Sequence, residues 1–288
     1  MATRAGARVL YVTGKGGVGK SFVAAELAHA AASRGLETAL VDVAGQAFAV
    51  AEPSGDAGPR VDRITLDPRT ALRHLLTRLL RFGFLSNRLM DSRTFSAVAA
   101  AAPGLRDLVY LSYVRDLADG RIGHRFDLVV VNGVASGHTI ALLEAPARVA
   151  ELVAMGPAAS IARATRELVA DARRFRVAVV TLPEELCVTE TGELHAALAR
   201  LGVAITPTVI NGVYPRRAAE GQARWLEENR VSQDAALYLA RRRRQLAFVE
   251  HVASPGGKPV IFPYRFDGEP TSSADRDALL AAILREQA

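Results

Sequence analysis

Eight residues near the start of the chain, Gly14-Lys15-Gly16-Gly17-Val18-Gly19-Lys20-Ser21, have the types and spacing that cradle a phosphate. Glycines let backbone N–H groups turn inward around phosphate oxygens, and a helix opening at Lys20 adds its favourable dipole. In such a loop Lys20 reaches the β- and γ-phosphates of a nucleotide, and the Ser21 hydroxyl can ligate Mg²⁺. The pattern is informative only between a strand and a helix. Both are present: Arg8 to Thr13 reads as an apolar strand, and Lys20 to Arg34 carries helical spacing.

Of 36 basic residues only Lys15, Lys20 and Lys258 are lysine, and two of these fall inside the loop. In a chain that otherwise uses arginine for positive charge, those two positions call for a compact, rotatable ammonium rather than a planar fork. The charge balance is +6 and hydrophobic residues make up 50% of the 288, a globular composition with ample material for a core. Cys187 alone excludes an internal disulfide framework and a cysteine-only zinc site, and fits a reducing compartment. Neither a signal peptide nor a stretch of membrane-spanning length is read, so the expected location is cytoplasmic.

The positioning elements follow from periodicity. After the helix come a turn at Gly35 and a strand from Thr38 to Val43, and further strand-length apolar runs stand at 127–131, 176–182, 204–210 and 259–262. Helical patterns separate most of them, which predicts an α/β fold of three layers, a mostly parallel sheet covered on both faces by helices. Residues 1–288 read as a single domain. Within it, 67–120 reads as a helical insertion, opened by Leu72, Leu75, Leu76, Leu79 and Leu80 at amphipathic spacing and followed by two more helical patterns. Its apolar stripes either pack on the main core or receive a partner segment.

Lysine directly after the first glycine, in GKGGVGKS, resembles the deviant Walker A motif shared by the arsenite-pump, tail-anchored-protein-targeting, nitrogenase-iron-protein, septum-site and plasmid-partition ATPases. In those P-loop NTPases the lysine at the position of Lys15 crosses a dimer interface to the nucleotide of the opposite subunit. The resemblance therefore implies ATP, Mg²⁺ and a nucleotide-sandwich dimer. FDLVVVNGVASGHTIALLEAP, from Phe126 to Pro146, is similar to the switch II segment of the arsenite-pump branch; APGLRDL (102–108), VTLPEEL (180–186) with Thr189-Glu190-Thr191, and VINGVYP (209–215) resemble three more of its segments. The branch implies that Gly14, Lys15, Gly16, Gly17, Val18, Gly19, Lys20, Ser21 and Phe22 line the phosphates. It also implies that Asn211 hydrogen-bonds the adenine and that Pro263 and Tyr264 flank the ring.

Three departures change the expected activity. Asn132 stands where the branch has the aspartate that holds Mg²⁺ through water; an amide keeps an oxygen but removes the charge, so metal held between Ser21 and Asn132 is bound more weakly. Ala44 stands at the counterpart of the acidic residue that orients the attacking water, a role Asp42 could take only with the Asp42-Val-Ala-Gly-Gln46 turn shifted. Phe22 replaces a hydroxyl residue that contacts the α-phosphate. Phosphoryl transfer depends on positioned water, metal and charge, so the catalytic set of Lys15, Lys20 and Asp42 is expected to bind ATP with weak or lost hydrolysis. The chain then acts as a regulatory or client-handling subunit, in a homodimer or in a heterodimer with a catalytically complete paralogue. The alternatives are a fully active homodimeric ATPase delivering a protein or membrane client, a subunit whose nucleotide is only structural, and a partition-type ATPase on nucleic acid or a membrane surface.

Remaining features carry less. One cysteine cannot form a metalloid-thiolate cluster, which disfavours arsenite transport. Arg241 to Arg244 could touch nucleic acid, but Glu227, Glu228 and Glu250 dilute the run and a solvated helix face is the simpler reading, so nucleic acid is disfavoured. His138 follows the switch glycine and could sense a γ-phosphate, whereas His29, His74 and His195 lie in helical patterns without a paired ligand. Glu184 and Glu185 are read as strand-end and helix-start residues rather than a catalytic pair.

Overall fold

The computed structural model describes residues 8–43, 60–80, 104–153, 155–215, 233–265 and 271–284. Seven strands form one sheet in the order β3-β2-β4-β1-β5-β6-β7, every pair parallel. They are β1 (Arg8–Gly14), β2 (Thr38–Asp42), β3 (Val61–Thr65), β4 (Leu128–Ala135), β5 (Phe175–Thr181), β6 (Val209–Val213) and β7 (Val260–Pro263). The helices are α1 (Lys20–Ser33), α2 (Pro68–Leu80), α3 (Leu105–Ala118), α4 (Ser136–Leu152), α5 (Pro157–Ala170), α6 (Glu185–Arg200), α7 (Gln233–Val249) and α8 (Ser273–Leu284). The α/β class with a helix-covered parallel sheet is as the periodicity predicts.

Strand alternation divides the core into two faces. Leu10, Val12, Leu40, Leu128, Val130, Ala178 and Val180 point toward α1 and α8, while Tyr11, Val41, Val129, Val131, Val177 and Val179 point toward α2 to α6. The central strands are buried on both sides and so read as unbroken apolar runs. Every residue of α1 from Val23 to Ala31 is buried, and its many alanines let it lie close to the sheet.

Two elements differ from the sequence reading. Edge strand β3, VDRIT, pairs only with β2 and is partly exposed, so it carries none of the apolar signal of the inner strands. The run at 204–210 becomes a strand only from Val209: Thr206 still donates to the Val177 carbonyl at 2.9 Å, but Pro207 has no N–H and interrupts the ladder. Of the two readings of the 67–120 stretch, the described residues show packing on the main core: it contributes α2 and α3, and α3 is buried at every position from Leu108 to Ala118. Leu75, Val109 and Leu117 belong to the same core cluster as Tyr11 and Val131, with Leu72 packed against it, and none of the exposed large apolar side chains among the described residues lies on α2 or α3. Residues 81–103 of this stretch lie outside the described residues. No helix among the described residues is long and apolar enough to cross a membrane.

One buried carboxylate fastens this layer. Asp116, on α3, accepts from His74 at 2.7 Å and Arg78 at 2.6 Å on α2, and from Arg115 and Arg121 at 3.1 Å each. Burial alone would push Asp116 up; the His74 hydrogen bond and the Arg115 and Arg78 charges outweigh it and hold the carboxyl well below the usual carboxylate range. Its folded pKa lies below its unfolded one, so the stabilisation is present above the ordinary aspartate pKa of about 4 and is lost as pH falls below it. Asp116→Asn leaves Arg115 buried without this counter-charge, and a loss of about 3–5 kcal/mol is expected in urea unfolding at neutral pH. The difference from wild type should shrink when the titration is repeated near pH 3.

Candidate nucleotide site

The glycine-rich loop joins β1 to α1 at the carboxyl edge of the sheet, and its shape is imposed by neighbours on three sides. Gly14 has φ 151°, and a Cβ there would stand 2.1 Å from the Val180 carbonyl oxygen of β5. Gly19 has φ 88°, and a Cβ there would meet the Asn211 amide nitrogen at 2.2 Å. Gly17, φ 84°, supplies a third left-handed turn. Helix α1 then starts with neither a side-chain cap nor an acidic residue in its first turn, so its leading N–H groups are left for an anion.

The side chains of the loop are already engaged. Lys20 Nζ donates to the Lys15 carbonyl at 2.9 Å, and burial pulls its pKa below the ordinary lysine value. Lys15 Nζ pairs with Glu190 Oε1 of α6 at 2.7 Å. Both partners are about 30% exposed, so the pair contributes roughly 0.5 kcal/mol and a phosphate can displace it cheaply. Phe22 turns its ring to Phe262 of β7, with centroids 5.7 Å apart, and packs with the α1 face of the core.

Behind Ser21 lies a buried polar row. The parallel register sets Val12, Asn132 and Asp42 side by side on β1, β4 and β2. Val12 faces α1, and so do its two neighbours in register. Asn132, 1% exposed, donates through Nδ2 to Ser21 Oγ at 3.0 Å and to Asp42 Oδ1 at 3.3 Å. Asp42 is fully buried and held by this amide, and Ala44 lies outside the described residues. Thus the predicted metal pair Ser21 and Asn132 is brought together, but through the amide's donor side.

The far side of the loop meets the other predicted cluster. Asn211 Nδ2 donates to the Val18 carbonyl at 2.9 Å, which ties β6 to the loop. Pro263 and Tyr264 follow at the end of β7, where Tyr264 N–H donates to the Val213 carbonyl at 2.8 Å. Tyr264 is 42% exposed, and its ring lies 5.2 Å from that of Tyr214. Asn211, Pro263 and Tyr264 are therefore neighbours at one end of the phosphate loop, an arrangement open to a base.

The sequence profile of the CobQ/CobB/MinD/ParA nucleotide binding domain matches residues 9–231. The chain belongs to that family. Relatives of this nucleotide-binding chain include ATPase BagA of Mycobacterium tuberculosis, 27% identical over 75% of this chain and 71% of its own length. The arsenical pump-driving ATPase of Acidiphilium multivorum is 27% identical over 74% of this chain but only 41% of its own length. ATPase GET3C of Arabidopsis thaliana is 22% identical over 84% and 75%. The similarity thus falls on the arsenite-pump and tail-anchor-targeting branch.

Several members of this family site carry no motif of their own. Tyr11, wholly buried, has its hydroxyl pushed up to about 12 by burial and accepts from Val134 N–H at 3.1 Å. Thr13 donates to the Val134 carbonyl at 2.9 Å and meets the Thr139 hydroxyl at 2.6 Å. Together they pin the segment after Asn132 to β1. A Cβ at Gly133 would meet the Tyr11 ring at 2.4 Å, a fit no spacing rule reveals. Glu190 stood in a recognised segment, yet its pairing with Lys15 spans 175 positions. His138 is exposed at the start of α4.

Glycines of the loop should separate by substitution. Gly14→Ala meets backbone that cannot give way, at a cost of about 1–3 kcal/mol in strain and clash, so melting falls by about 5 °C and nucleotide binding is lost. Nothing lies within 4 Å of a Cβ at Gly16, so Gly16→Ala keeps its melting temperature. Thermal melting with and without nucleotide checks both.

Proposed function

We propose that the chain is an ATP-binding, dimer-forming P-loop ATPase of the arsenite-pump and tail-anchor-targeting type whose hydrolysis is weak or lost, serving as a regulatory or client-handling subunit. The observation that carries this reading is Asn132, buried at the switch strand with its amide N–H groups, not a carboxylate, turned to Ser21 and Asp42. Phosphoryl transfer needs charge and water held at the γ-phosphate. Here Asn132 brings no charge to a cation, the sequence has alanine rather than an acidic residue at position 44, and Asp42 accepts from the amide beneath the site.

ATP binding draws on the family membership, the preformed loop and the Asn211, Pro263 and Tyr264 cluster. Dimer formation draws on Lys15, whose pairing with Glu190 is weak enough to be traded for a partner's phosphates, in a homodimer or with a catalytically complete paralogue. A client bound on the helical insertion would need apolar surface beyond α2 and α3, whose described apolar residues are taken up in packing. Nucleic acid stays disfavoured, because Arg241 lies over the Tyr214 ring, Arg242 donates to the Tyr214 carbonyl and Arg244 lies over Phe248.

Purified wild-type chain is expected to bind ATP with little turnover. Ala44→Asp with Asn132→Asp should raise turnover by tenfold or more, about 1.4 kcal/mol of barrier. Robust wild-type hydrolysis abolished by Lys20→Ala would overturn the degenerate reading in favour of an active homodimer. Lys15→Ala is expected to retain ATP but lose ATP-dependent dimerisation with itself or a paralogue, read by light scattering.

A further inference from the structure

We propose that the Asn132 amide takes the place of a divalent cation in this site, so that nucleotide binds without metal. This rests on the nucleotide-binding reading and deepens it. A magnesium site needs oxygen donors facing the ion. Of the protein groups on the α1 side of the row, Ser21 Oγ and Asp42 Oδ1 are such oxygens, yet both accept from one nitrogen, Asn132 Nδ2, at 3.0 and 3.3 Å. As arranged, these two oxygens are turned to an N–H donor rather than to an ion.

With Asp42 ionised, the orientation of the amide follows from its neighbours. Turning it over would set its oxygen against the Asp42 carboxylate, acceptor against acceptor. The observed orientation leaves Asn132 Oδ1 buried with no donor among the described residues, a cost of about 1–3 kcal/mol that the two donated bonds must outweigh. An N–H positive edge thus lies between two oxygens, where the ion's positive charge would otherwise lie. The Ser21 oxygen is engaged as an acceptor, so its own proton is available to a phosphate oxygen in the loop.

A carboxylate at position 132 would reverse this. It would stand beside Asp42, two like charges at hydrogen-bond range, and would need a cation between them. Metal dependence is therefore set by a single amide.

The test is ATP titration by calorimetry of the wild-type chain, in EDTA and in millimolar Mg²⁺, beside Asn132→Asp. Wild-type affinities within about threefold of each other are expected, with Asn132→Asp weakened tenfold or more by EDTA. A wild-type drop of more than threefold on chelation overturns the inference and leaves nucleotide binding standing. Binding in neither condition overturns the nucleotide reading as well. If Asn132→Asp does not fold, the wild-type comparison decides alone.

Discussion

Three neighbouring parallel strands in register place Val12, Asn132 and Asp42 in one row, and the carboxyl edge of the sheet is organised around that row. Parallel pairing sends the side chains of paired residues to the same face, so once Val12 packs under α1 the amide and the carboxylate must lie there too. A carboxylate with no solvent exposure is tolerated only with donors around it. Asn132 supplies one, and its second contact, to Ser21, couples the buried row to the first turn of the helix that follows the glycine-rich loop.

The loop itself is held from outside rather than by its own bonds alone. The β5 backbone at Val180 limits Gly14 to a residue without a side chain, Asn211 of β6 holds the Val18 carbonyl, Asn132 of β4 holds Ser21, and Glu190 of α6 holds Lys15. Four separate elements thus shape one short turn before any anion arrives. Such preorganisation lowers the ordering cost of binding and leaves the leading N–H groups of α1 without a capping side chain.

What was legible in the sequence is what depends on neighbours along the chain. Glycine spacing, the strand before it and the helix after it are local, and so are the apolar runs of strands buried on both faces. Strand β3 escaped because an edge strand needs no apolar run, and Pro207 displaced a boundary because its missing N–H matters only once a partner strand is in place. The Asp116 cluster joins residues 38 to 42 positions apart, and Gly133 is needed for a ring 122 positions upstream; neither leaves a periodic trace. The departures at Asn132 and Phe22 were visible by comparison with a family pattern, but the direction of the Asn132 hydrogen bonds and the docking of Phe22 on Phe262 needed coordinates.

The two charged or polar contacts at the glycine-rich loop differ in kind, and on the proposed reading this separates their roles. The Lys15–Glu190 pair is partly solvated and costs little to break, so its partner can change with the nucleotide and with a second subunit. The Asn132–Asp42 contact is buried, and removing it leaves an unsatisfied group at a cost of about 1–3 kcal/mol. A reversible signal therefore belongs to Lys15 at the surface, while Asn132 acts as a fixed setting of the site. Nucleotide state would then be read through association of chains rather than through a cycle of metal capture and hydrolysis, the division of labour suited to a subunit that senses ATP more than it consumes it.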